Sequence, residues 1–106
     1  MAVAVQKVTI VNKKGLHARA SAAFARLAGD FRSEITVTYN GQTANGTHIM
    51  DLLMLAAHKG VEIEIKADGI DASMAVAALQ LLVSNGFGEL RVDNREALGR
   101  ESSERD

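Results

Sequence analysis

Asn40-Gly41 follows a strictly alternating run, Glu34-Ile35-Thr36-Val37-Thr38-Tyr39, and no other pair in the chain restricts the fold as much. Both central positions of a type I′ turn need positive φ, which asparagine and glycine tolerate, and the turn's twist matches the strands it joins. The pair predicts a hairpin, with one strand over residues 34–39 and a shorter one from about Gln42 to Asn45. A hairpin inside a chain of 106 residues, enough for one domain, commits the protein to an antiparallel sheet.

The flanking segments supply the rest of that sheet and its cover. Val3 to Val11 is rich in β-branched residues and reads as a strand, and Val61-Glu62-Ile63-Glu64-Ile65-Lys66-Ala67 alternates with its acidic side chains outward. Between Ala18 and Ala28 the pattern is helical, with Ala22, Ala23, Phe24 and Leu27 near one face and Gly29-Asp30 at the end. A short apolar helix through Ile49, Leu52, Leu53 and Leu55 is expected, with Thr47 as its N-cap and Lys59-Gly60 closing it. Asp71 is expected to cap a last helix whose stripe is Met74, Ala78, Leu81 and Leu82, ending at Gly86 near Phe87. The order β-α-β-β-α-β-α predicts an α+β two-layer sandwich, one sheet covered by helices on one side. Residues 1–88 form that domain, and the charged tail 89–106 is expected to be disordered.

Composition narrows the function. Hydrophobic residues make up 47% of the chain but aromatics only 4%, so the core is aliphatic. The chain has no cysteine, which excludes disulfides and thiolate metal sites. A net charge of -1 gives no basic excess for nucleic acid, and no apolar run approaches the roughly 20 residues that cross a bilayer. A soluble cytoplasmic domain with no metal, cofactor, membrane or nucleic-acid partner is the expectation, and it is expected to be a monomer.

Chemistry is concentrated in Lys13-Lys14-Gly15-Leu16-His17-Ala18-Arg19-Ala20-Ser21, where a strand has ended and a helix begins. Unpaired backbone N–H groups and the positive end of the macrodipole make a helix N-terminus an anion site. That field favours a neutral, nucleophilic imidazole at His17. A phosphoryl group taken onto the ring would lie beside the N–H groups of Ala18, Arg19 and Ala20, with the Arg19 guanidinium adding a charge-assisted contact. Gly15 permits a sharp turn. A histidine at a helix start is more often a cap or a surface residue, and the local pattern alone leaves both readings open. His58, near the end of the short helix, reads as structural.

Gly15-Leu16-His17-Ala18-Arg19 resembles the HPr family, the histidine phosphocarriers of the bacterial phosphotransferase system, including its nitrogen-branch relative. Ser33-Glu34-Ile35-Thr36-Val37, Asn40-Gly41, and Ile49 to Leu55 followed by Lys59-Gly60 extend the resemblance over roughly residues 5–88. It implies an open-faced sandwich of four antiparallel strands with three helices on one face. It implies that His17 accepts phosphate on Nδ1 from phosphorylated enzyme I and passes it to an enzyme IIA protein, with Arg19 assisting. Leu16, Thr47, His48, Ile49 and Met54 would form the docking patch, and Lys13, Lys14, Arg19, Arg26 and Lys59 a basic rim that speeds encounter. Two positions depart from the pattern. Ala20 stands where the family usually has proline, and His48 occupies the position of a regulatory serine that a dedicated kinase phosphorylates in many members.

Two other readings compete with the carrier. An acylphosphatase-like enzyme of similar architecture would need an arginine-containing cradle after the first strand, and its Gly-x-Val-Gln-Gly-Val pattern is absent. A non-phosphorylated regulatory interaction domain would leave His17 inert.

Overall fold

The computed structural model describes residues 2–89. Seven elements follow in the order β1 (Val3–Thr9), α1 (Ala18–Ala28), β2 (Glu34–Tyr39), β3 (Gln42–Asn45), α2 (Ile49–Met54), β4 (Glu62–Asp68) and α3 (Ala72–Ser84), and the turn Gly86–Gly88 comes after α3. The hairpin forms where Asn40-Gly41 demands it. Asn40 and Gly41 take φ of 53° and 79°, and Tyr39 pairs with Gln42.

The strands lie in the order β1-β4-β2-β3, every neighbouring pair antiparallel. β4 is therefore central although it is the last strand in the chain. Register puts Val8 opposite Ile63 and Val37 opposite Ile65, so alternate residues of three strands reach one side. There Ile10, Ile35, Val37, Ile63, Ile65 and Ala67 pack with Phe24, Leu52, Leu79 and Val83 from the helices, all essentially buried. Glu62, Lys66 and Glu34 stand exposed on the other side.

Both long helices turn a different face inward from the one their periodicity suggests. In α1 the buried set is Ala20, Ser21, Phe24, Ala25 and Ala28, while Ala22, Ala23 and Leu27 are only half-buried. In α3 it is Ala72, Ala75, Val76, Leu79 and Val83, whereas Met74 and Leu81 are 69% and 60% exposed. α3 carries no charged residue, and its three polar ones, Ser73, Gln80 and Ser84, exclude one face but do not choose among the apolar faces that remain.

Local capping also differs from expectation. Thr47 does not cap α2: its hydroxyl and backbone N–H both donate to Asn45 Oδ1, and His48 takes the N-cap position without a side-chain bond. α2 stops at Met54, well before Lys59-Gly60, because Ala56 adopts a left-handed φ of 54°. Asp71 does occupy the N-cap position of α3, but its carboxylate turns away from the helix. It accepts from Ser33 Oγ at 2.6 Å, Arg32 N at 2.8 Å and Ser33 N at 3.0 Å, fastening the α1–β2 loop to the start of α3. These bonds, the Ser33 hydroxyl first, hold the Asp71 carboxyl below its ordinary 3.8.

Glu89, expected to open a disordered tail, is 7% exposed and belongs to the folded domain. The remainder of that expected tail, residues 90–106, lies outside the described residues.

Candidate functional site

Backbone bonds build the loop between β1 and α1. Ile10 N donates to Val61 O at 2.9 Å, Gly15 N to Asn12 O at 3.2 Å, and Leu16 N to Ala57 O at 2.9 Å. Gly15 has a φ of +61°, and a Cβ there would stand 2.4 Å from Ala57 O and 2.8 Å from His58 Cα. Only glycine lets the loop lie this close to the connection between α2 and β4. Leu16, expected at the docking surface, is 4% exposed and packs in the core. Its burial anchors the residue next to it, His17, and Ser21 Oγ locks the same turn by donating to Leu16 O at 3.1 Å.

His17 is the N-cap of α1, with extended backbone (φ -78°, ψ -176°) and no side-chain cap bond. Its carbonyl accepts from Ser21 N at 2.8 Å, so the helical ladder begins here and the N–H groups of Ala18, Arg19 and Ala20 precede the first rung. The His17 side chain is 25% exposed. Ala18 and Arg19 are exposed beside it, while the Ala20 methyl is wholly buried, so Ala20 offers the site its backbone and not a side chain.

Two further residues of the site went unrecognised in the sequence. Glu89 Oε2 lies 2.5 Å from His17 Nε2, and Glu89 Oε1 accepts from Asn12 Nδ2 at 2.9 Å. Asn12 is fully buried and also donates from Nδ2 to Gly15 O at 2.8 Å. The Asn12 Oδ1 has no partner among the described residues, at a cost on the order of 1–3 kcal/mol. The helix terminus is thus not the only charge next to the ring, since a largely buried carboxyl group meets it at Nε2. The turn Gly86–Gly88 delivers that group through three successive left-handed residues, Gly86, Phe87 and Gly88, with φ of 66°, 56° and 80°. The glycines flanking Phe87 were the available signal of such a reversal, but nothing local says where it leads.

The expected docking residues divide. Thr47, His48, Ile49 and Met54 are exposed at and along α2, which packs against α1, and Met50 joins them at 67% exposure. His48 Nδ1 lies 3.5 Å from Asp51 Oδ2 at the surface. Lys13, Lys14, Arg26 and Lys59 are exposed as a basic rim requires. His58 is not at a helix end. It sits in the turn before β4, edge-on to the Tyr39 ring at 6.5 Å, with Nδ1 3.2 Å from Lys59 O.

A small open-faced domain with a part-exposed histidine at a helix N-terminus is the architecture of a histidine phosphocarrier, and comparison with known proteins agrees. A family model described as "PTS HPr component phosphorylation site" matches residues 4–85. The Phosphocarrier protein HPr of Neisseria meningitidis serogroup A is 50% identical over 84 residues, 79% of this chain and 94% of that one. The Phosphocarrier protein NPr of Shewanella violacea is 40% identical over 84 residues, 79% of this chain and 92% of its own. Among solved structures, HPr from Thermoanaerobacter tengcongensis superposes with a TM-score of 0.78 at 35% identity, covering 81% of this chain and 97% of its own. HPr from Bacillus anthracis gives 0.75 at 35% identity, covering 78% and 99%. The chain belongs to the HPr/NPr phosphocarrier family of the phosphotransferase system.

Proposed function

We propose that this protein works in the cytoplasm as a relay. His17 takes a phosphoryl group from phosphorylated enzyme I and yields it to an enzyme IIA protein of the sugar or the nitrogen-regulatory branch. The observation that carries this reading is the His17 ring itself, part-exposed at the first turn of α1 and engaged by protein only at Nε2 among the described residues. Nδ1 is then the atom that accepts phosphate. The N–H groups of Ala18, Arg19 and Ala20 and the exposed Arg19 guanidinium stabilise the oxygens that arrive there. No proton needs to be abstracted from a neutral imidazole, so the carrier works without a separate base, and the donor protein supplies the energy-rich bond.

Docking falls to α2. Ile49, Met50 and Met54 are exposed apolar side chains on α2, which packs against α1, and the exposed Lys13, Lys14, Arg19, Arg26 and Lys59 suit acidic partner surfaces. Three such apolar side chains fit the small interface of a transient encounter. His48 stands where a regulatory serine would be phosphorylated, so this chain escapes that form of control.

Incubation with phosphoenolpyruvate and enzyme I, followed by intact mass measurement, tests the proposal. One acid-labile phosphoryl addition is expected, and it should vanish in His17→Ala. A wild-type protein that gains no mass, or a His17→Ala variant that still gains it, refutes the assignment.

A further inference from the structure

We propose that Glu89, braced by Asn12, is a positioning residue: it holds His17 as the Nε2–H tautomer and balances the charge the ring acquires when Nδ1 is phosphorylated. This rests on the reading of His17 as the phosphoryl acceptor. A neutral imidazole carries one N–H, and the hydrogen bond made by one nitrogen decides which nitrogen keeps its lone pair. Glu89 Oε2 meets Nε2 at 2.5 Å. A carboxylate only accepts, so Nε2 keeps the proton and Nδ1 keeps the nucleophilic lone pair.

The carboxylate is itself held in place. Asn12 directs Nδ2 at two acceptors, Glu89 Oε1 and Gly15 O, at 2.9 and 2.8 Å. The reversed amide would face both with an oxygen, so the network fixes the Asn12 orientation. Its Oδ1 is left buried and unpartnered among the described residues. A wholly buried amide is thus committed to bracing one carboxylate against the loop that carries His17. The left-handed turn at Gly86, Phe87 and Gly88 brings that carboxylate across from the end of α3, and Phe87 accepts a φ of 56° that non-glycine residues seldom adopt. Strain, burial and an orphaned acceptor all converge on the contact at Nε2, as expected of a functional constraint.

The transfer step then balances without a proton leaving. The Nδ1 lone pair forms the bond to phosphorus, and the donor's bond to phosphorus breaks with its electron pair staying on the donor. The ring gains a positive charge, which faces the Glu89 carboxylate through Nε2–H. Passing the group to an acceptor reverses these changes and restores the neutral ring.

Ring 15N NMR on the full chain, before any phosphorylation, tests the tautomer independently of every partner. The wild type should show a protonated Nε2 and an unprotonated Nδ1. Glu89→Gln, whose carbonyl still accepts, should keep that pattern, and Glu89→Ala should lose it to a mixture, with backbone spectra checking that both variants stay folded. Loading by phosphorylated enzyme I is the second readout. Glu89→Gln replaces a charge-assisted bond with a neutral one and should move the loading equilibrium toward the donor by on the order of tenfold. An Nδ1–H tautomer in the wild type, an unaltered tautomer in folded Glu89→Ala, or unchanged loading of Glu89→Gln overturns the proposal. If the wild type shows the expected tautomer and accepts no phosphate, it is the carrier reading that has failed.

Discussion

Replacing Gly15 by alanine attacks the fold and the site at one point. Three effects follow from the geometry. Alanine in the left-handed region costs about 1–2 kcal/mol. The new methyl meets Ala57 O at 2.4 Å and His58 Cα at 2.8 Å, both backbone atoms that cannot swing aside, and such overpacking costs about 1–3 kcal/mol. Ala57 O also accepts from Leu16 N, so relieving the clash by moving it weakens a bond worth about 1 kcal/mol. Together these give about 4 kcal/mol, a large part of the about 5–15 kcal/mol that holds a domain folded. Gly60→Ala is the matched control: φ there is +92°, and nothing lies within 4 Å of the added methyl. It should cost only the conformational term. Urea unfolding separates the two, because about 4 kcal/mol lowers the midpoint by about 2–4 M if the slope is about 1–2 kcal/mol/M. If Gly15→Ala and Gly60→Ala unfold at the same midpoint, the close approach to Ala57 is not what glycine is for, and the account of the loop is wrong.

Three further outcomes can be measured on purified protein. Arg19→Ala, at an exposed position, should change stability by less than about 0.5 kcal/mol yet slow phosphoryl acceptance roughly ten- to a hundredfold, and an unfolded variant would mean that Arg19 serves the core. Leu79→Ala should cost about 2–5 kcal/mol and Leu81→Ala less than about 1 kcal/mol in thermal unfolding, since the first is wholly buried and the second 60% exposed; the reverse order would restore the stripe that periodicity suggests. Asp71 has a carboxyl whose folded value is depressed, so its stabilisation is present above its ordinary 3.8 and is lost as pH falls through the folded value. Asp71→Asn should therefore be less stable than wild type at pH 6 with the gap closing below about pH 4, and a gap that stays constant on acidification contradicts the role given to the Ser33 and Arg32 bonds.

What the sequence disclosed tracks how local each determinant is. Strands β2 and β3 match the expected residues because alternation and an Asn-Gly turn act within a dozen positions. The start of α1 and the placing of His17 at its N-terminus were equally legible, since Gly15 and the change of period mark the junction. The buried face of α3 was not, because its only polar residues, Ser73, Gln80 and Ser84, rule out one face and leave apolar side chains on the others. At α2 the helix begins one residue later than Thr47 as N-cap would set it, with His48 at the N-cap position and the Thr47 hydroxyl and N–H turned back as donors to Asn45 Oδ1. Leu16 read as a docking residue from its place beside His17, and only the packing of the loop against Ala57 shows it to be core. Glu89 and Asn12 lay beyond sequence reasoning for a different reason. They are 77 positions apart, and they meet only through the tertiary packing that sets the loop after β1 against the turn that follows α3.

Heteronuclear NMR of the phosphorylated protein, correlating 31P with ring 15N, tests the central claim most directly. The account predicts one phosphorus signal coupled to Nδ1 of His17. Coupling to Nε2, a signal on His48 or His58, or no phosphorus-bearing ring at all would contradict it.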